Sequence, residues 1–151
     1  MGINKKISLI DGSGFIFRAY YALPPLTSKN GTPIGAVLGF CNMLLKLLEE
    51  KKSDKVIVIF DTAKKTFRND IFKEYKANRG EPPEDLIPQF AIIREAVDAF
   101  NITRVELAGY EADDLIATYA KFFDKKKWNV EIVSSDKDLM QLVNKNIIMR
   151  D

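Results

Sequence analysis

Four short runs rich in β-branched residues punctuate the chain, at residues 6–10, 55–60, 103–107 and 129–134. The second, KVIVIF, is almost continuously apolar, which predicts a strand covered on both faces. Helix-length segments lie between these runs. Residues 35–52 carry Val37, Leu38, Met43, Leu44, Leu47 and Leu48 at helical spacing, and residues 84–100 carry Leu86, Phe90, Ile93 and Val97. Residues 110–123 do the same with Leu115, Ile116, Tyr119 and Phe122. A short helix over 136–143 and a last strand over 146–150 complete the series, and Trp128 is expected to pack beside the strand it precedes. Alternating strands and helices predict a three-layer α/β/α domain with a central, mainly parallel sheet. Two segments break the pattern. Residues 23–31 (LPPLTSKNG) read as a turn-rich loop. Residues 62–83 are long, polar and basic and end in Gly80-Glu81-Pro82-Pro83; insertions of this length are typically functional or mobile.

Composition narrows the chemistry. A length of 151 residues suits one domain, here 1–151. The single cysteine, Cys41, excludes an internal disulfide framework and a cysteine-based zinc cluster. The absence of histidine excludes His metal ligands, His general bases and Ser-His or Cys-His nucleophile systems. No apolar run approaches the roughly 18 residues of a membrane span, and MGINKKISLI has no signal-peptide core. The expectation is a soluble, cytoplasmic domain with no membrane partner. Its acid–base or metal chemistry must come from carboxylates, Lys or Tyr.

The carboxylates have a pattern. In a parallel sheet all strand C-termini share one edge, and ligands bind in the crevice beyond it. Asp11 follows ISLI, Asp61 follows KVIVIF, and Asp136 and Asp138 follow EIVSS. Glu111, Asp113 and Asp114 open the helix after the third strand, with Glu111 and Asp114 on one face. Any one of these acids could be an ordinary helix cap. As a set they would repel one another by several kcal/mol in partly desolvated surroundings unless cations sit among them. Mg²⁺ or Mn²⁺ is the natural counter-ion for oxygen-only ligands, and so many carboxylates imply two metal positions, an arrangement suited to in-line displacement at phosphorus.

A basic stretch supplies the complement. Lys64, Lys65, Arg68, Lys73, Lys76 and Arg79 stand against Asp70 and Glu74, six positive charges less two negative, or +4 over residues 62–79. A solvated helix face is the ordinary reading of such a run. Placed just after Asp61, it would instead grip a polyanion at the metal edge, with Lys76 and Arg79 on one face if the segment is helical. Asp11-Gly12-Ser13-Gly14 lacks the spacing of a phosphate-binding glycine loop and reads as a tight strand-to-helix turn. Phe15, Phe17, Tyr20 and Tyr21 follow and are expected to be mostly core. Arg18, in the same helix, could reach a phosphate or pair with an acid.

Taken together, Asp11-Gly12-Ser13 with Phe17-Arg18-Ala19, Phe60-Asp61, YKANR (75–79), GYEADD (109–114) and SDKDL (135–139) resemble the 5′→3′ exonuclease domain of bacterial DNA polymerase I, within the flap endonuclease family of structure-specific 5′ nucleases. The resemblance runs in order from Ile7 to the end of the chain. It implies a PIN-like nuclease core with a basic helical arch at about 62–83, two divalent metals, and hydrolysis of DNA at 5′ ends or 5′ flaps in replication and repair, leaving a 5′ phosphate and a 3′ hydroxyl. By position, Asp11, Asp61, Glu111, Asp113, Asp114 and Asp136 would surround the first metal, and Asp138 would contribute to the second. Lys76 and Arg79 would contact the scissile phosphate, and Arg18 would help bind phosphate. Lys64, Lys65, Arg68 and Lys73 would add to the DNA-binding surface. Members of the family continue into a helix-hairpin DNA-binding module that nothing here matches, so the second metal site is expected to be incomplete, and the stop at Asp151 reads as a fragment boundary. A DNA polymerase is the implied partner. The rival readings are a DNA-binding fragment without activity and a PIN-type ribonuclease.

Overall fold

The computed structural model describes residues 5–50, 53–62 and 82–151. The basic cluster of Lys64, Lys65, Arg68, Lys73, Lys76 and Arg79, expected to form an arch, lies outside the described residues. The elements run β1 (Lys6–Asp11), α1 (Gly12–Ala22), α2 (Gly35–Glu49), β2 (Lys55–Ile59), α3 (Ile87–Ala99), β3 (Thr103–Val105), α4 (Ala112–Lys125), β4 (Asn129–Val133), a 3₁₀ helix (Lys137–Leu142) and β5 (Ile147–Arg150). The five strands form one parallel sheet in the order β3-β2-β1-β4-β5. The chain winds outward from β1 to β3, then returns to the other side of β1. Right-handed crossovers therefore place the helices before and after that reversal on opposite faces.

Side-chain alternation along the strands builds the two cores. Ile7, Leu9, Ile57, Ile59, Val130, Ile132 and Ile147 bury against Leu115, Ile116, Ala120 and Phe123 of α4. The intervening positions Ile10, Val58, Phe60 and Val133 bury against Phe15 and Ile16 of α1, Phe40 and Leu44 of α2, and Ile93 and Val97 of α3. These are the three layers expected. On the second face, at mid-sheet, the buried Glu131 carboxylate is held by Lys6 Nζ at 3.6 Å and by the Ser8 hydroxyl at 3.3 Å. A cavity of about 50 Å³ sits beside Glu131, Ser8 and Ser53.

Local departures from the sequence pattern have local causes. The third strand ends at Val105 rather than 107, because Glu106 turns to two arginines, Arg94 and Arg104. Helix α3 starts at Ile87 rather than 84; Pro88 occupies its first turn, where its missing N–H costs nothing. Helix α4 starts at Ala112 rather than 110, after Gly109 takes a φ of 90°. Its buried stripe of Leu115, Ile116, Ala120 and Phe123 selects Phe123, which packs edge-on to Trp128 at 4.9 Å, and leaves Phe122 half exposed. Leu38 in α2 is likewise 44% exposed, whereas Phe40 is fully buried and stacks on Phe60 at 6.1 Å. In α1 only Phe15 of the aromatic set is core. Phe17 and Tyr21 are exposed, and the Tyr20 hydroxyl donates to Asp85 at 2.6 Å.

Removing the ring at a fully buried position costs the transfer energy and leaves a cavity. Phe40→Ala is expected to lower the unfolding free energy by about 3–5 kcal/mol, and Leu38→Ala by less than about 1 kcal/mol. Urea denaturation of the two variants checks the contrast.

Candidate functional site

The strand order reverses between β1 and β4, so their C-terminal ends diverge into the crevice where open α/β sheets bind ligands. A cleft of about 220 Å³ opens there, lined by Asp11, Ser13, Gly14, Phe17, Asp61, Glu111, Ala112, Asp113, Ser135 and Asp136. Five of these side chains are carboxylates, and no Lys or Arg is among the described residues that line the cleft.

Asp11 ends β1 and caps α1. Its Oδ1 accepts the Gly14 N–H at 3.0 Å, and its Oδ2 accepts the Ser134 hydroxyl at 2.8 Å, a bond that bridges the divergence of β1 from β4. The turn leaves no spare room. A Cβ at Gly14 would lie 2.5 Å from Asp11 Oδ2, and one at Gly12 would lie 2.6 Å from the Phe60 ring. Burial pushes the Asp11 carboxyl above its ordinary value. The two hydrogen bonds oppose that rise, and the neighbouring charges of Asp61 and Asp136 add to it.

Asp61 is held from three directions. Its N–H donates to the Ser13 hydroxyl at 2.7 Å, its Oδ1 accepts the Ala112 N–H at 2.5 Å, and its carbonyl accepts from Arg94 Nη2 at 2.9 Å. One residue at the end of β2 thus joins the starts of α1 and α4 and the middle of α3.

Glu111, Asp113 and Asp114 meet at the start of α4, with one carboxylate oxygen from each lying within 4.8 Å of the others. Glu111 is buried, at 4% exposure, where a glutamate is seldom found. It forms a capping box with Asp114, whose Oδ2 accepts the Glu111 N–H at 3.2 Å. Asp136 caps the 3₁₀ helix by accepting the Asp138 N–H at 3.0 Å, and its own N–H donates to Ser134 at 3.0 Å. Capping and clustering are therefore not alternatives here: the same carboxylates do both.

The sequence-predicted set divides accordingly. Asp11, Asp61, Glu111, Asp113 and Asp136 line the cleft, and Asp114 joins the cluster at its rim. Asp138 is exposed and outside the lining. Arg18 lies outside it as well and pairs with Asp151 at 2.7 Å. Glu106, five residues before the cluster, is neutralised by Arg94 at 2.8 Å and Arg104 at 3.0 Å. Sequence reasoning missed Ser13, Ser134 and Arg94. The serines stood in quoted motifs and could have been flagged as hydroxyls beside acids. Arg94 sits inside an apolar helical repeat with no local signal.

The donor set is all oxygen, as hard divalent cations require, and its mutual spacing fits a metal position. A family profile described as 5′-3′ exonuclease, N-terminal resolvase-like domain, matches residues 6–151. DNA polymerase I of Rhizobium leguminosarum is 59% identical over 151 residues, covering 95% of this chain and 15% of that protein. A 5′-3′ exonuclease of Aquifex aeolicus is 41% identical over 145 residues, covering 96% of this chain and 50% of that protein. In shape, the T5 D15 protein crystallised with metal ions matches at a TM-score of 0.70 and 21% identity, over 96% of this chain and 53% of that one. The bacteriophage T5 D15 flap endonuclease, in a pseudo-enzyme-product complex with DNA and metal ions, matches at 0.68 and 22%, over 96% of this chain and 54% of that one. These structural likenesses show the fold.

A carboxylate whose pKa is raised by burial weakens the metal-free fold as pH rises through that value, because the folded state then binds the proton more tightly than the unfolded chain. Asp11→Asn keeps an oxygen for Gly14 N–H and an amide for Ser134 while removing the charge. In EDTA at pH 7 it is expected to raise stability by about 1 kcal/mol, or about 2–4 °C in Tm. The gain should shrink as the pH falls and Asp11 itself becomes protonated. Thermal melts of both proteins in EDTA, followed from neutral to acidic pH, check the sign.

Proposed function

Because the chain belongs to the 5′-3′ exonuclease, N-terminal resolvase-like domain family, we propose that it forms the nuclease core of a divalent-metal-dependent enzyme that hydrolyses DNA phosphodiester bonds at 5′ ends or 5′ flaps. The chain spans 15% and 50% of the length of the two relatives above, and a DNA polymerase is the partner that the polymerase I relatives suggest. The observation that carries the proposal is the cleft at the sheet reversal, with five carboxylates and no basic side chain among its described lining residues.

Asp11, Asp61, Glu111, Asp113 and Asp136 would hold Mg²⁺ or Mn²⁺, with Asp114 closing the cluster from the α4 cap. The bound ion would supply Lewis-acid polarisation of the phosphodiester and a water of lowered pKa. This suits a chain with no histidine to act as a base. The residues around it orient the ligands. Ser134 fixes the Asp11 carboxylate, and the Ala112 N–H fixes that of Asp61. Asp138, just past the Asp136 cap, would contribute to a second metal position. Lys76 and Arg79 would hold the scissile phosphate, with Lys64, Lys65, Arg68 and Lys73 adding attraction along the strand. The Arg18–Asp151 pair is exposed on both sides and worth at most about 1 kcal/mol, so a DNA phosphate would exchange for Asp151 at little cost.

Asp114→Ala would remove a capping-box acceptor together with a ligand, at a cost of about 1 kcal/mol to the fold. The isosteric Asp113→Asn, at a residue that lines the cleft, is the cleaner variant. Mn²⁺-dependent cleavage of a 5′-labelled flap duplex is expected to vanish in EDTA and to fall by about 100-fold or more in Asp113→Asn. Cleavage that survives both treatments would contradict the proposal, as would a preference for single-stranded RNA over the flap.

A further inference from the structure

Arg94 lies outside the cleft, yet its guanidinium meets four acceptor atoms on three residues, Asp61 among them. Nε donates to Glu106 Oε1 at 2.8 Å, and Nη1 donates to the Phe90 carbonyl at 3.0 Å. Nη2 donates to the Asp61 carbonyl at 2.9 Å and to Glu106 Oε2 at 3.4 Å. The guanidinium also stacks on the Phe60 ring, 4.5 Å from its centroid. The side chain is 18% exposed, so these bonds are shielded from competing water. A planar fork with fixed donors can satisfy helix α3, the end of β3 and the end of β2 at once, which a lysine ammonium on a flexible stem cannot.

We propose that Arg94 is a positioning residue that sets the Asp61 carboxylate for metal. The proposal rests on the metal-nuclease reading above. The route is short. Arg94 grips the Asp61 carbonyl while Phe60, one residue earlier, is clamped beneath the guanidinium and donates its N–H to the Val105 carbonyl at 2.9 Å. With its main chain fixed on both sides, Asp61 has only its side-chain torsions left, and the Ala112 N–H takes up one carboxylate oxygen. Without Arg94, the Asp61 carbonyl loses this donor while the Phe60 N–H on Val105 and the Ser13 hydroxyl on the Asp61 amide remain, and the carboxylate loses its register with the start of α4. Outer partners of this kind orient ligands that they never replace.

Arg94→Leu retains apolar cover over Phe60 and leaves Glu106 paired with Arg104. Arg104→Leu is the control: Arg104 bonds Asp98 at 2.8 Å and Glu106 at 3.0 Å at the same α3–β3 junction but does not touch Asp61. Two readouts on the full chain separate positioning from stability: amide hydrogen exchange at Ala112 in EDTA, and Mn²⁺ affinity by calorimetry. Arg94→Leu is expected to speed Ala112 exchange and weaken Mn²⁺ binding by about tenfold each, while Arg104→Leu changes neither by more than about twofold. Arg94→Lys should fall between the parent and Arg94→Leu. Unchanged exchange or unchanged affinity in Arg94→Leu overturns the proposal, as do equal losses in both leucine variants. A parent chain that binds no Mn²⁺ overturns the metal reading, and with it the role assigned to Arg94, even if Ala112 exchange responds.

Discussion

Three hydrogen bonds converge on Asp61, and each comes from a different helix: the Ser13 hydroxyl from α1, the Ala112 N–H from α4 and the Arg94 guanidinium from α3. Helices α1 and α3 lie on one face of the sheet and α4 on the other, so this one residue at the tip of β2 joins both outer layers at the edge where the carboxylates gather. The constraint is geometric before it is chemical. Strand ends in a parallel sheet cannot choose which edge they reach, and once Asp61 is fixed the start of α4 is fixed with it. Glu111, Asp113 and Asp114 are carried by that start.

A second constraint is the cost of like charge. Asp11 is mostly buried, and its carboxyl is pushed upward by burial and by its acidic neighbours. The fold tolerates the cluster by giving the acids helix-terminal work. Asp11 caps α1, Glu111 and Asp114 cap α4, and Asp136 caps the 3₁₀ helix. Each cap places negative charge at the positive end of a helix dipole, which offsets part of the repulsion. The remainder is what a divalent cation would relieve. Two acids farther from the cleft are paired as well: Glu106 with arginine and Glu131 with lysine.

The sheet and its acidic edge were legible because they rest on short-range patterns: β-branched runs, helical stripes, and an acid at or within three residues of the end of each of three strands. The five parallel strands lie within two residues of the expected runs. What escaped was set by tertiary geometry. Nothing local distinguishes Phe122 from Phe123, and only the docking of α4 on the sheet decides which ring is buried. The aromatics of α1 looked like core, but the helix buries Phe15 and Ile16, while Phe17 lines the cleft and Tyr21 faces solvent. Arg94 bonds residues 33 positions away and 12 positions away, a reach that no spacing rule encodes.

The claim at the centre of this account is that a divalent ion belongs among carboxylates that different strands bring to the sheet reversal. Anomalous diffraction from crystals soaked in Mn²⁺ measures that directly. The predicted result is a Mn²⁺ peak within the cleft, ligated by oxygens drawn from Asp11, Asp61, Glu111, Asp113 and Asp136. A cleft with no peak at saturating Mn²⁺, or Mn²⁺ bound only at sites away from these residues, would contradict it.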